Sequence, residues 1–277
     1  MIRFFDGGMG SMLNLAAGEL PEKLNISEPE RVFAVHKGYA DAGAEFITAN
    51  TFGANSLKYD NVDELVKAGV ALAKKAGKYV ALDIGPTGKL LKPMGDLEFE
   101  RAVELFAEVV RAGKDGSDVA IIETMSDMYE LKAAVIAVKE NSDLPIITSM
   151  IFDESGRLLT GGDVKSAVAM LEGLRVDAIG FNCGLGPKQM IPLVKELREC
   201  TSLPILVMPN AGLPESVDGK TVYNVSPDEF TQDMREIAKL GVSILGGCCG
   251  TTPKHIAKMI ELCKDIPDNV PEKKNDT

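Results

Sequence analysis

The sequence predicts a single closed (β/α)8 barrel of the TIM type, and three observations carry that expectation. Short apolar runs rich in Val, Ile and Phe alternate with amphipathic segments, the signature of a parallel sheet with helical crossovers. There are eight such runs, the number this barrel needs, and the roughly 250 residues they occupy match its usual size. Nearly every run ends in a potentially functional side chain, as expected where strands open onto one mouth. An open doubly wound sheet would use the same alternation, but no Gly-x-Gly-x-x-Gly follows the first run, and Gly7, Gly8 and Gly10 have the wrong spacing for one.

The runs follow in order. RFFDGG near 3–8 carries Asp6, and EFITAN at 45–50 ends at Asn50 beside Thr51. YVALDIG at 79–85 has Asp83 late, VAIIET at 119–124 has Glu123 near its end, and PIITSMIF covers 145–152. AIGFNC at 178–183 finishes on Asn182 and Cys183, PILVMPNAG at 204–212 contains Asn210, and SILGGCCG at 243–250 contains Cys248 and Cys249. Strand-ending Asp, Asn and Thr also serve as helix caps and turn formers, so the set converging on one face carries more than any single member. Between the runs, Ser27 with Glu30 and Ser226 with Glu229 have capping-box spacing, and Pro29, Pro227 and Pro253 suit first-turn positions. The barrel is expected to span 1–266, followed by a polar tail at 267–277.

The formal net charge of -11 argues against a surface that neutralises phosphates, so nucleic acid is not expected as a partner. No apolar stretch approaches the ~20 residues of a membrane span, and MIRFFDGG lacks the apolar region of a secretory signal. Five cysteines are an odd number and too few for a disulfide scaffold, which suits a reducing compartment. A cytoplasmic location is the expectation.

Cys183, Cys248 and Cys249 have the makings of three sulfur ligands for one metal. They are 65 residues apart at the widest step between neighbours, too far for a local knuckle, but a closed barrel gathers strands six and eight at one mouth. Three thiolates leave the fourth tetrahedral position of zinc free, the mark of a catalytic rather than a closed structural site. Glycines around the vicinal pair supply the backbone freedom two adjacent ligands need. Thr252 and Pro253 resemble the start of the last helix, whose positive end favours thiolates just before it. A vicinal disulfide or a buried structural pair is the rival reading. Cys200 and Cys263 fall late in helical segments, where packing is expected.

A zinc held by three thiolates is electron-rich and better suited to a fourth thiolate than to activating water. Free thiols have pKa values of about 8.5, whereas a metal-bound thiol is deprotonated outright. The expected substrate is therefore a nucleophilic thiol. An amino-acid thiol would find acceptors for its ammonium in Asp6 and Glu123, and N–H groups for its carboxylate at Gly7 and Gly8. Asn210 lies at the end of the strand between the two cysteine-bearing ones, placed to contact the metal or its ligand.

DGGMGSML, PEKLNI, ITANTFGAN, DIGPTG, ETMSDMYELKAA, FDESGRLLTG, GFNCGLGP, PNAG and GGCCGTTPKHI are spread over nearly the whole chain. On these segments the sequence resembles the homocysteine S-methyltransferases, most closely the homocysteine-binding barrel of cobalamin-dependent methionine synthase. The resemblance implies Cys183, Cys248 and Cys249 as zinc ligands, Asp6 and Glu123 as holders of the homocysteine amino group, and Asn210 as an asparagine beside the zinc. It also implies transfer of a methyl group to the homocysteine thiol, giving methionine.

The methyl donor implied by the resemblance is methylcobalamin. Neither His36 nor His255 has an aspartate two residues before it, so no Asp-x-His-x-x-Gly cobalamin motif is present. Any corrinoid, or folate module, is expected on a separate protein acting in trans. S-methylmethionine and betaine are the alternative donors, disfavoured because such cations prefer aromatic cages and this chain has no Trp. A barrel that binds zinc or homocysteine without turnover is the non-enzymatic alternative.

Overall fold

The computed structural model describes residues 1–15, 18–217 and 220–268. The elements run β1 (Arg3–Phe4), α1 (Met9–Leu13), α2 (Leu24–Ser27), α3 (Pro29–Asp41), β2 (Phe46–Thr48), α4 (Val62–Ala76), β3 (Tyr79–Ile84), α5 (Phe99–Gly113), β4 (Val119–Met125) and α6 (Met128–Asn141). They continue with β5 (Ile146–Met150), α7 (Val164–Gly173), β6 (Ala178–Asn182), α8 (Pro187–Cys200), β7 (Ile205–Met208), β8 (Glu215–Val217), β9 (Lys220–Val222), α9 (Pro227–Ala238), β10 (Ile244–Leu245) and α10 (Pro253–Cys263). From residue 269 on, the polar tail expected at 267–277 lies outside the described residues.

Eight parallel strands line up as β1-β10-β7-β6-β5-β4-β3-β2. The two ends of that series meet through a parallel bridge between Phe5 and Phe46, and the Glu45 N–H donates to the Phe4 carbonyl at 2.8 Å. The sheet thus curls into a nearly closed (β/α)8 barrel, as expected. Each of the eight apolar runs contributes one strand. The antiparallel hairpin β8–β9, inserted between β7 and α9, was not foreseen.

Side chains of a strand alternate between its faces, and the alternation sorts the apolar residues into two compartments. Phe5, Ala81, Val119, Ile121, Ile147, Ala178, Leu206, Met208 and Ile244 fill the barrel interior. Their neighbours, among them Phe4, Leu82, Ile84, Ile122, Ile179 and Val207, pack outward against the helices. The inward series continues past its apolar part: two residues beyond Ala81 lies Asp83, two beyond Ile121 lies Glu123, and Asn182 follows Ala178 and Gly180 on the same face of β6. The period that builds the plug therefore also delivers polar groups to its upper surface.

At the opposite end, where strands begin, acidic side chains close the sheet. Oδ2 of Asp118 accepts the Val80 N–H and Oδ2 of Asp177 the Ile146 N–H, both at 2.7 Å, while Oε2 of Glu45 accepts the Phe4 N–H at 3.2 Å. Helix starts follow local chemistry. Ser226 and Glu229 form the expected capping box of α9, and Pro29, Pro227 and Pro253 occupy first-turn positions. Ser27 does not cap α3. Residues 24–27 coil into a helical turn of their own, the Ser27 hydroxyl donates back to the Lys23 carbonyl at 3.2 Å, and Glu28 becomes the residue preceding the helix. Among the described residues no helix is long and apolar enough to cross a membrane.

Candidate metal and substrate site

The strand ends open into a cavity of ≈ 370 Å³ lined by Asp6, Gly7, Gly8, Asp83, Glu123, Cys183, Cys248 and Cys249, with Met9, Thr48, Asn50 and Thr124 among the other walls. Seven of the eight residues expected at the site thus share one cavity. Asn210 stands behind the cysteine loop, where its Oδ1 accepts the Cys249 N–H at 3.1 Å.

The sulfur side is held by backbone contacts. Cys183 ends β6 in the left-handed region (φ 55), its N–H donating to the Met208 carbonyl at 3.1 Å. The Cys248 N–H donates to the Pro209 carbonyl at 2.8 Å, and the Cys249 carbonyl accepts from Ala211 at 2.9 Å. Gly250 then takes φ 77, the turn that lets the chain leave the vicinal pair without a side-chain penalty. Gly8 meets the same loop so closely that a Cβ on it would sit 2.6 Å from the Cys248 carbonyl oxygen. Thr251 pins the contact, accepting the Gly8 N–H at 3.2 Å and donating to the Cys248 carbonyl at 2.6 Å.

All five cysteines are free thiols, so the vicinal pair is not a disulfide. The three sulfurs of Cys183, Cys248 and Cys249 lie within 4.8 Å of one another, and the Cys183 and Cys249 sulfurs are 3.8 Å apart. Zinc–sulfur bonds of about 2.3 Å in tetrahedral array require sulfurs roughly 3.8 Å apart, so the cluster fits such an ion. Its electrostatics agree. Hydrogen bonds from Cys183 and Cys248 stabilise the Cys249 thiolate and lower its pKa to about 3. Cys248 is pushed well up, first by its hydrogen bond with Cys183. At Cys183 the bond with Cys248 acts downward, but the bond to Cys249 and burial outweigh it and raise the thiol to about 12. Left to itself the cluster ionises once; a soft cation is needed to hold three thiolates.

The facing wall is acidic. Burial pushes Asp6 up to about 7 against the opposing hydrogen bonds from the Thr48 hydroxyl at 2.7 Å and the Thr48 N–H at 2.9 Å. Burial, then the charges of Asp6 and Cys249, raise Glu123 to about 8. Asp83 is raised well above the carboxylate range by burial and then by Glu123, Asp6 and Glu22. Among the described residues no Lys, Arg or His lines the cavity to relieve them. Of the two N–H groups expected to meet a carboxylate, that of Gly8 is engaged by Thr251.

Asn182 links the two walls. Its Oδ1 accepts the Thr124 N–H at 2.8 Å and the Ser149 hydroxyl at 2.7 Å, while Nδ2 donates to the Thr124 hydroxyl at 2.7 Å and approaches the Cys248 sulfur at 3.8 Å. Thr124 sits at φ 63, an uncommon conformation for a β-branched residue, directly after Glu123. The sequence marked Asn182 and Asp83 as strand ends without giving either a task. Tyr223, just past β9, was also missed; it packs beside Gly250 and helps to lower the Cys249 thiol.

Residues 3–263 match the family model for homocysteine S-methyltransferase. The methionine synthases of Mycobacterium leprae and Mycobacterium tuberculosis are each 32% identical to this chain over 94% of its length, which spans only 24% of theirs. Among solved structures, the metallated form of the homocysteine methyltransferase MmuM from Escherichia coli superposes with a TM-score of 0.79 at 23% identity, covering 93% of this chain and 95% of that one. Its apo form gives 0.73 at 25% identity.

Proposed function

The chain belongs to the homocysteine S-methyltransferase family, and from that premise we propose that it transfers a methyl group to the thiol of homocysteine, giving methionine, with zinc as its metal and a methyl-corrinoid on other protein as donor. One observation carries this: a three-sulfur cluster fitted to a soft metal faces an acidic wall across a single cavity that, among the described residues, has no cationic side chain in its lining. The first side suits a thiol and the second an ammonium, and homocysteine carries both on one short chain.

Cys183, Cys248 and Cys249 would hold the zinc. Bound there, the ion supplies the positive charge that keeps a substrate thiol ionised at neutral pH. Asn210 and the Pro209 carbonyl fix the loop that presents Cys248 and Cys249. Asp6 and Glu123 accept N–H groups of the substrate ammonium, and a bound ammonium draws both carboxyls back toward their ionised forms. Gly7, with Gly8 beside it, forms the backbone edge for the substrate carboxylate. Held at both ends, the substrate sulfur attacks the donor methyl carbon; a C–S bond forms as the donor departs with the electrons of its own bond to that carbon.

Delivery by another protein is supported by the rim of the mouth. Of the large apolar side chains most exposed among the described residues, most lie between a barrel strand and the outer helix that follows it, including Leu57, Met94, Leu159 and Val217. That is the face a donor-bearing partner would cover. A small donor such as S-methylmethionine or betaine is the second reading, favoured by the 95% coverage of the barrel-sized Escherichia coli homocysteine methyltransferase.

Metal analysis coupled to methylation assays tests the proposal. The expected result is about one zinc per chain and methionine formed from homocysteine with methyl-corrinoid. Product from S-methylmethionine or betaine alone would select the second reading. Stoichiometric zinc with no methionine from any of these donors or from methylfolate would leave a binding module instead of an enzyme.

A further inference from the structure

Asp83 has no task in the chemistry above, yet it is buried among the acidic groups of the mouth. It is only 6% exposed, it lines the cavity with Asp6 and Glu123, and its Oδ1 lacks any hydrogen-bond partner. Buried polar atoms are nearly always satisfied, so an orphan on a residue that lines a cavity marks a carboxyl whose partner a ligand brings. Strand register explains why it faces inward. Asp83 pairs with Ile121 across β3 and β4, and Glu123 lies two residues further along the same face of β4, which makes the two carboxyls diagonal neighbours.

The occupant of this wall is a cation with several N–H donors. Among the described residues only the three cysteines bring three ligand atoms within 4.8 Å of one another, so the carboxyls are not gathered for a bare metal ion. N–H···O contacts of about 2.7–2.9 Å reach further than metal–oxygen bonds of about 2.0–2.2 Å. A primary ammonium has three such donors; of the four carboxyls that line the cavity, Glu22 is engaged by the Gly53 N–H and the Tyr59 hydroxyl, which leaves Asp6, Asp83 and Glu123. Asp6 already receives two hydrogen bonds from Thr48, whereas the Asp83 carboxyl has an oxygen that no protein group satisfies.

We propose that Asp83 is a specificity-determining residue of the homocysteine pocket: its carboxylate accepts the third N–H of the substrate α-ammonium, beside Asp6 and Glu123, so that the site selects a primary amine. The assignment rests on the pocket being a homocysteine site. A secondary amine brings one N–H fewer and leaves the Asp83 carboxylate unpaired; a thiol without the amine leaves the whole wall unpaired.

Calorimetric titration of the zinc-loaded protein with L-homocysteine, N-methylhomocysteine and 4-mercaptobutanoate tests this by affinity alone. Wild type should bind N-methylhomocysteine on the order of ten- to a hundredfold more weakly than homocysteine, the range of one charge-assisted hydrogen bond. Asp83→Ala should lose a similar factor for homocysteine while shifting the other two thiols less than about threefold, so that the preference for a primary amine collapses. Retention of that preference in the variant, or an equal loss for all three thiols, overturns the proposal. So does a wild type that binds the primary and secondary amines alike. Should Asp83→Ala fail to fold, Asp83→Asn keeps the shape, removes the charge and is read in the same way with a smaller expected loss. A wild type that binds no homocysteine defeats the underlying assignment of the pocket, an outcome distinct from failure at Asp83.

Discussion

At the end of the barrel where strands begin, Asp118, Asp177 and Glu45 each receive the N–H of a neighbouring strand, in partly exposed positions. At the end where strands finish, Asp6, Asp83 and Glu123 are drawn inward, crowd one another's charge and leave an oxygen without a partner. The same side-chain chemistry is used to complete a sheet at one rim and to await a ligand at the other. Acidity alone does not mark a site; acidity that the fold fails to satisfy does.

The sharpest test of this contrast is at the mouth. Cys248→Ala should take zinc from about one per chain to background by elemental analysis while the far-ultraviolet circular dichroism keeps its helical signal, because a core of this size does not depend on one ion. Unfolding would turn the mouth into structure and erase the contrast. Next in size is a pH effect. Asp6 near 7 and Glu123 near 8 lie above ordinary carboxyl values, so the folded protein keeps protons that the unfolded chain releases from about pH 4 upward. Metal-free protein should therefore lose stability as pH rises from about 4 to about 8, by on the order of a few kcal/mol in denaturant titrations, the raised carboxyls outweighing Cys249, whose lowered pKa makes the folded protein release a proton that the unfolded chain keeps. A double Asp6→Asn, Glu123→Gln variant should flatten that slope.

Glu123→Gln alone should weaken homocysteine binding about ten- to a hundredfold with zinc content unchanged; metal loss there would contradict its role on the ammonium side. The smallest effect belongs to the opposite rim. Asp177→Ala should cost about 1 kcal/mol of unfolding free energy, the worth of one partly exposed hydrogen bond, and leave zinc content and homocysteine affinity as they were. A shift in either would mean that the two rims are coupled.

The alternation of apolar residues made the eight strands legible, and residue type did the same for the cysteines, since three thiols at strand ends have few structural uses. Asp83 was visible but unassigned; extending the inward series 79–81 by one more step would have placed it beside Glu123. The Ser27 cap failed because 24–27 holds its own helical turn, a preference local spacing does not encode. The hairpin β8–β9 and the Tyr223 contact escaped because the β7–α9 connection carries no strong apolar period. Nothing in the letters Glu-Thr-Met announces the left-handed backbone at Thr124, which only the distant Asn182 makes tenable.

That last residue has a bearing on the protein's history under selection. A β-branched side chain held at positive φ stores on the order of 1–3 kcal/mol, so a laboratory lineage bred for heat resistance should find Thr124→Gly or Thr124→Asn early. Each such gain would remove the hydroxyl that accepts from Asn182 and loosen the backbone beside the neighbouring acid. Position 124 is therefore where thermostability and turnover are expected to be traded against each other, and natural relatives adapted to hot or cold habitats offer a place to look for that trade.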